Sequence, residues 1–177
     1  MKKHILVIVF LSVLLLASCS HQKSVDEMTD AEKEVAMQKE MERNPPEEMT
    51  SEERVVEQQK AAAMETANVL KSGDFTGKAH PTSGSVKLVE EGGKLMAIFS
   101  DDFKSDAGPR LHVFLTEHSN PQSSKDLHTG AYYDLGVLKS TKGTQIYDVP
   151  EGMADKFNTA VIYCKPFKVI FGTASLS

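Results

Sequence analysis

Two cysteines, six histidines and a few loop carboxylates are the residues of this chain whose types could do chemistry. Their spacing excludes most of it. There is no Cys-x-x-Cys-His for covalent haem and no His-Glu-x-x-His for zinc. A blue-copper site takes two His, one Cys and a weak axial ligand, usually with a His and a Met soon after the Cys, and neither follows Cys164. Asp101, Asp102 and Asp106 lie in one loop without the ligand spacing of a calcium site and read as solvated, so no metal site is expected. A Gly-x-Ser-x-Gly elbow, a phosphate loop and a dinucleotide fingerprint are all missing.

What remains is sulfur. Cys164 lies between Tyr163 and Lys165-Pro166-Phe167-Lys168. A nearby ammonium favours the thiolate, so Lys165 and Lys168 would lower the thiol pKa if the sulfur is accessible. Pro166 ends or bends a strand just after it, which places Cys164 near a sheet rim. The competing reading is burial, since Ile162 and Cys164 share strand parity and free Cys is among the most buried residue types. Of the histidines, His112 is the best candidate to approach Cys164 and His80 the next. His118 and His128 lie in the same domain, and His21 lies upstream.

Cys19 has a different chemistry. Met1-Lys2-Lys3, an apolar run over residues 5–16 and Leu16-Ala17-Ser18-Cys19 form a secretory signal that is too short to span a bilayer. A cysteine directly after Leu-Ala-Ser is the lipidation position of bacterial lipoproteins, and two or three acyl chains anchor stably where one would not. Residues 1–18 are thus expected to be a signal peptide, with Cys19 lipidated and the protein membrane-anchored in the cell envelope. Ser20 is not the aspartate that retains many lipoproteins in a Gram-negative inner membrane, which points to the outer membrane in such a cell. Lipidation would leave Cys164 without a partner in a compartment where thiols are commonly oxidised.

The remaining chain divides by composition. Residues 20–71 carry thirteen Asp and Glu against seven Lys and Arg, while residues 72–177 carry twelve against eleven. Neither part has a basic patch with interleaved aromatics, so nucleic acid is not an expected partner. Residues 28–70 favour helix, cut in two by Asn44-Pro45-Pro46. Thr29 with Glu32, and Thr50 with Glu53, have capping-box spacing. Val56, Ala63, Ala67 and Leu70 make a thin apolar stripe on the second helix. The segment 19–71 therefore reads as a lipidated N-terminus and an acidic, mobile helical stalk.

From residue 72 onward, glycine, aromatic and β-branched residues come in short runs. Strands are expected at 84–91, 94–100, 110–116, 133–138, 144–149, 160–164 and 167–171. Gly92-Gly93 supplies a hairpin turn that sets Val86 opposite Phe99, Leu88 opposite Ala97 and Glu91 opposite Lys94. The fold class is mainly β, an antiparallel β-sandwich or small barrel. Leu111, Val113 and Leu115 would face its core, with Arg110, His112 and Phe114 on the other side.

These residues carry a resemblance. Gly73-Asp74-Phe75, Gly108-Pro109-Arg110-Leu111-His112-Val113-Phe114-Leu115, Leu135-Gly136-Val137-Leu138-Lys139, Gly143-Thr144-Gln145-Ile146-Tyr147, Val161-Ile162-Tyr163-Cys164 and Phe167-Lys168-Val169-Ile170-Phe171-Gly172 follow one another in the order of the electron-transfer DM-thirteen domain family. The resemblance implies a compact β domain of secreted or membrane-attached proteins. It also implies electron transfer through the cysteine matching Cys164, acting as a bare redox thiol or as a ligand to a group such as haem. The expected function is a redox or electron-transfer module with an envelope redox partner. The alternative is a non-catalytic envelope or extracellular binding or structural module with Cys164 buried. A third class is catalysis by an oxidised cysteine such as a sulfenic acid.

Overall fold

A computed structural model describes residues 23–177. The signal peptide and Cys19 lie outside the described residues, as does His21. Among those described, no helix is long and apolar enough to cross a membrane.

Two helices come first, α1 (Asp30–Arg43) and α2 (Ser51–Ala63). Both start as their sequences dictate. The Glu32 amide donates to the Thr29 hydroxyl at 3.3 Å while the Thr29 amide donates back to the Glu32 carboxylate at 2.8 Å. Thr50 and Glu53 do the same at 3.2 and 2.8 Å. The second helix stops at Ala63, so Ala67 and Leu70 do not continue its stripe. They lie instead at the approach to, and within, the first strand.

Ten strands follow: β1 (Asn68–Gly77), β2 (Thr82–Ser83), β3 (Ser85–Glu91), β4 (Lys94–Phe99), β5 (Lys104–Ser105), β6 (Leu111–Thr116), β7 (Tyr132–Val137), β8 (Gln145–Val149), β9 (Thr159–Cys164) and β10 (Val169–Ser175). A short helix α3 (Ser124–Leu127) precedes β7. Eight strands form one antiparallel sheet in the order β7-β6-β9-β10-β1-β3-β4-β8, and β2 pairs with β5. The sheet curls until its end strands approach each other, giving the mainly β, nearly closed barrel. The β3–β4 hairpin has the expected register, Val86 with Phe99 and Glu91 with Lys94, because Gly92 and Gly93 take φ of 57° and 80°.

β1 joins the halves of the sheet. Asn68 to Asp74 pair with β3, and Phe75 to Gly77 pair with β10. Ser72 and Ser177 exchange two backbone hydrogen bonds of 3.0 Å. The core inside the curl holds Phe75, Phe99 and Phe103 with ring centroids 4.7–5.2 Å apart, together with Val86, Leu88, Leu111, Val113, Leu115 and Ile162. Gly172 is where another side chain must pass close: a Cβ there would lie 2.5 Å from Thr82.

The helices are docked on this barrel and do not stand off from it as a free stalk. Met37 of α1 is 3% exposed and belongs to the main core. Glu57 of α2 is 6% exposed and accepts from the Ile146 amide at 2.8 Å and the Lys139 ammonium at 3.0 Å. Between the helices, Glu48 accepts from the Ser140 hydroxyl and, at 3.0 Å, from the Thr141 amide. Lys168 pairs with Asp26 at 2.6 Å.

Candidate functional site

Cys164 is the last residue of β9, paired across the ladders with Leu111 of β6 and Val169 of β10. Parity with Ile162 decides its direction, and it points into the core at 0% exposure. Its thiol donates to the Pro109 carbonyl at 3.2 Å. Burial pushes the thiol up to about 11, against an opposing pull from the Phe167 amide.

The two lysines expected to activate the thiol are engaged elsewhere. Lys165 pairs with Asp134 at 2.9 Å and Lys168 with Asp26, so desolvation governs the sulfur. The rim position expected from Pro166 is present, since Lys165 and Pro166 next door are exposed. Two segments wall the thiol in: Gly108-Pro109-Arg110, where the Pro109 carbonyl accepts its hydrogen bond, and Lys165 to Lys168, where the Phe167 amide meets it. Each wall contains a non-glycine residue in the left-handed region, Arg110 at φ 50° and Lys168 at φ 56°.

His112 lies on the other side of the sheet. It is the ladder partner of Tyr163, one residue from Cys164 and therefore facing away from it. Its Nδ1–H donates to the Asp134 carboxylate at 2.9 and 3.1 Å, while Nε2 is buried without a hydrogen-bond partner among the described residues. Burial pushes the Asp134 carboxyl up, but Lys165, His112 and the Gly136 amide outweigh it and hold it below its ordinary range. The same face carries Phe114, His128, Tyr132 and Tyr163, with His128 and Tyr132 ring centroids 4.7 Å apart and the Tyr163 hydroxyl 2.6 Å from Ser124 Oγ.

His80 stacks on Phe171 with centroids 3.8 Å apart and lies between Glu34 of α1 at 3.4 Å and Asp106 at 3.7 Å. It ties α1 to the domain. His118 accepts from the Asn120 amide. The structure therefore does not unite Cys164, His112 and His80 as a ligand set, because the sheet separates the first two and His80 is held by its own partners. Among the described residues no group of three or more His, Cys, Asp or Glu is gathered as a cation would need.

Haem ligation through Cys164 does not fit these residues. It would require a sulfur facing an open space, and the sulfur here is enclosed and committed to the Pro109 carbonyl.

Sequence reasoning passed over Asp134, Glu48 and Glu57. No local motif marks them, since each meets its partners across the fold. It also passed over a cavity of about 820 Å³ between α1 and the Cys164 end of the barrel, whose walls include Pro109, Arg110, Pro166 and Phe167.

The curled antiparallel sheet, with Cys164 at the end of one of its inner strands, defines a small, mainly β domain. The pattern of the electron transfer DM13 family matches residues 74–176, and the chain belongs to that family. No curated protein and no solved structure matches the chain.

Proposed function

We propose that this is a lipid-anchored cell-envelope protein, held to the membrane through Cys19, whose DM13 domain transfers electrons through Cys164 as a guarded thiol. Family membership supports the redox reading. The observation that carries the guarded form is the position of Cys164 at a strand end behind two short walls, each containing a left-handed non-glycine residue. Such conformations cost about 1–3 kcal/mol each, so part of the work of opening is already stored in the walls.

Closed, the thiol is inert, because it is buried and its pKa is near 11. Opened, it loses its proton to solvent and attacks a disulfide of an envelope partner. A sulfur–sulfur bond forms to Cys164, the partner's own bond breaks, and the leaving sulfur takes up a proton as a thiol. One sulfur of the partner is reduced to the thiol, while the other stays joined to the now oxidised Cys164 in the mixed disulfide.

The test is incubation of the native protein with glutathione disulfide across a pH series, read by intact mass. The expected result is one adduct, absent in Cys164→Ala, forming faster as pH rises towards about 11. A free thiol would level off above about 8.5. An unfolded chain that reacts beside a native one that never does would overturn the proposal. It would favour the second reading, a non-catalytic binding module, for which the cavity of about 820 Å³ is the supporting observation.

A further inference from the structure

The cavity between α1 and the barrel has a chemical character of its own. Four cations border it, Lys23, Lys39, Arg43 and Arg110, against one carboxylate, Glu40. That ratio runs against the composition of the N-terminal segment, where acids outnumber bases thirteen to seven. Lys23 is neutralised by Glu32 at 2.6 Å, and Arg43 stands 4.0 Å from Glu40. Lys39 and Arg110 have no ion-pair partner among the described residues. The rest of the wall is largely apolar, with Met28 and Ala36 on one side and Pro109, Pro166 and Phe167 on the other.

A volume of about 820 Å³ falls within the range of small-molecule sites, roughly 300–1,000 Å³. The left-handed backbone of Arg110 adds an independent sign, since strain in folded proteins gathers at ligand clamps as well as at active sites.

We infer that this cavity binds an amphipathic organic anion, a flat or chain-like apolar body carrying a carboxylate, sulfonate or phosphate. Lys39 and Arg110 receive the charge from opposite walls, and Phe167 with the two prolines receives the apolar part. One wall belongs to α1, outside residues 74–176, so the N-terminal segment completes a site that the family domain alone only half builds. The inference goes beyond the redox reading and holds whether or not Cys164 exchanges disulfides.

The test uses the full chain in phosphatidylcholine nanodiscs, titrated with 8-anilinonaphthalene-1-sulfonate and corrected with protein-free discs. Saturable binding at one site is expected. Lys39→Glu and Arg110→Glu should each weaken it by about tenfold or more, because a charge attracting the anion becomes one repelling it. Lys87→Glu, on the exposed face of β3, and Cys164→Ala should bind as the unaltered chain does. Far-ultraviolet circular dichroism checks that each variant is folded. Absence of saturable binding, or equal weakening by Lys87→Glu, would overturn the inference. Loss of disulfide exchange in Cys164→Ala with dye binding intact separates this site from the thiol chemistry.

Discussion

The barrel and the helical segment are held by opposite means. Inside the barrel, Phe75, Phe99, Phe103, Leu115 and Ile162 are packed with no polar atom among their side chains, and burial of that surface does the work. The helices bury little apolar surface, chiefly Met37, and are fixed by carboxylates that reach across to backbone amides and ammonium groups. One is a core that forms or fails as a whole. The other is a polar latch that charge can open. The proposed binding cavity lies on the seam between the two.

The comparison breaks most severely at Phe99, fully buried against Phe75, Phe103 and Tyr147. Phe99→Ala should cost about 3–5 kcal/mol and lower the urea midpoint of barrel and helices together, since the latch has nothing to grip once the barrel is lost. Next comes Glu57→Ala, which strands the Ile146 amide and leaves the Lys139 ammonium with only the Ile146 carbonyl. It should cost about 1–3 kcal/mol, with hydrogen exchange accelerated in α2 and little change in β9 and β10. Equal acceleration in the central strands would mean that the latch is part of the core.

Acid sharpens the same contrast. Burial pushes the Glu48 and Glu57 carboxyls up, but Ser140 and Thr141 around the first, and Lys139 and the Ile146 amide around the second, outweigh it and hold both below the usual range. Because the folded values are depressed, the stabilisation is present above the unfolded value, about 4.3 for Glu, and is lost as pH falls through the folded values. Exchange in α1 and α2 should therefore rise on acidification before the barrel opens, and Glu57→Gln should blunt that dependence. At the small end, Val35 is 70% exposed on α1. Val35→Ser should shift stability by no more than about 0.5 kcal/mol, and a larger loss would show that this face of α1 is covered in solution.

Legibility in the sequence followed the same division. The β3–β4 register and the inward parity of Leu111, Val113 and Leu115 could be read because alternation and a Gly-Gly turn are local signals. β1 could not: residues 68–70 continue the helix-favouring stretch before them, Ser72-Gly73-Asp74 reads as a turn, and Phe75 is the one buried position of the strand. The end of β10 was hidden by the small residues Gly172, Ala174 and Ser175, which leave Thr173 as an isolated strand signal although all four pair with β9. At the site, Cys164 was found at its rim position, and parity with Ile162 correctly indicated burial as one of two readings. The link from His112 to Asp134 was invisible because a register shift between Val113 and Phe114 sets which residue of β7 each residue of β6 meets. The latch was invisible because Glu48 and Glu57 meet partners about ninety positions away, and nothing local distinguishes them from the solvated acids beside them.

The reciprocal bonds between Ser72 and Ser177 bring the entry and exit of the barrel to one point on its surface. A short linker could join the two, and the chain could then be cut anew at the exposed Gly92-Gly93 turn without parting any ladder other than β3 from β4 at its tip. The β domain is thus suited to circular permutation, and to insertion as a cassette within a loop of another protein, since its two ends need no distance between them.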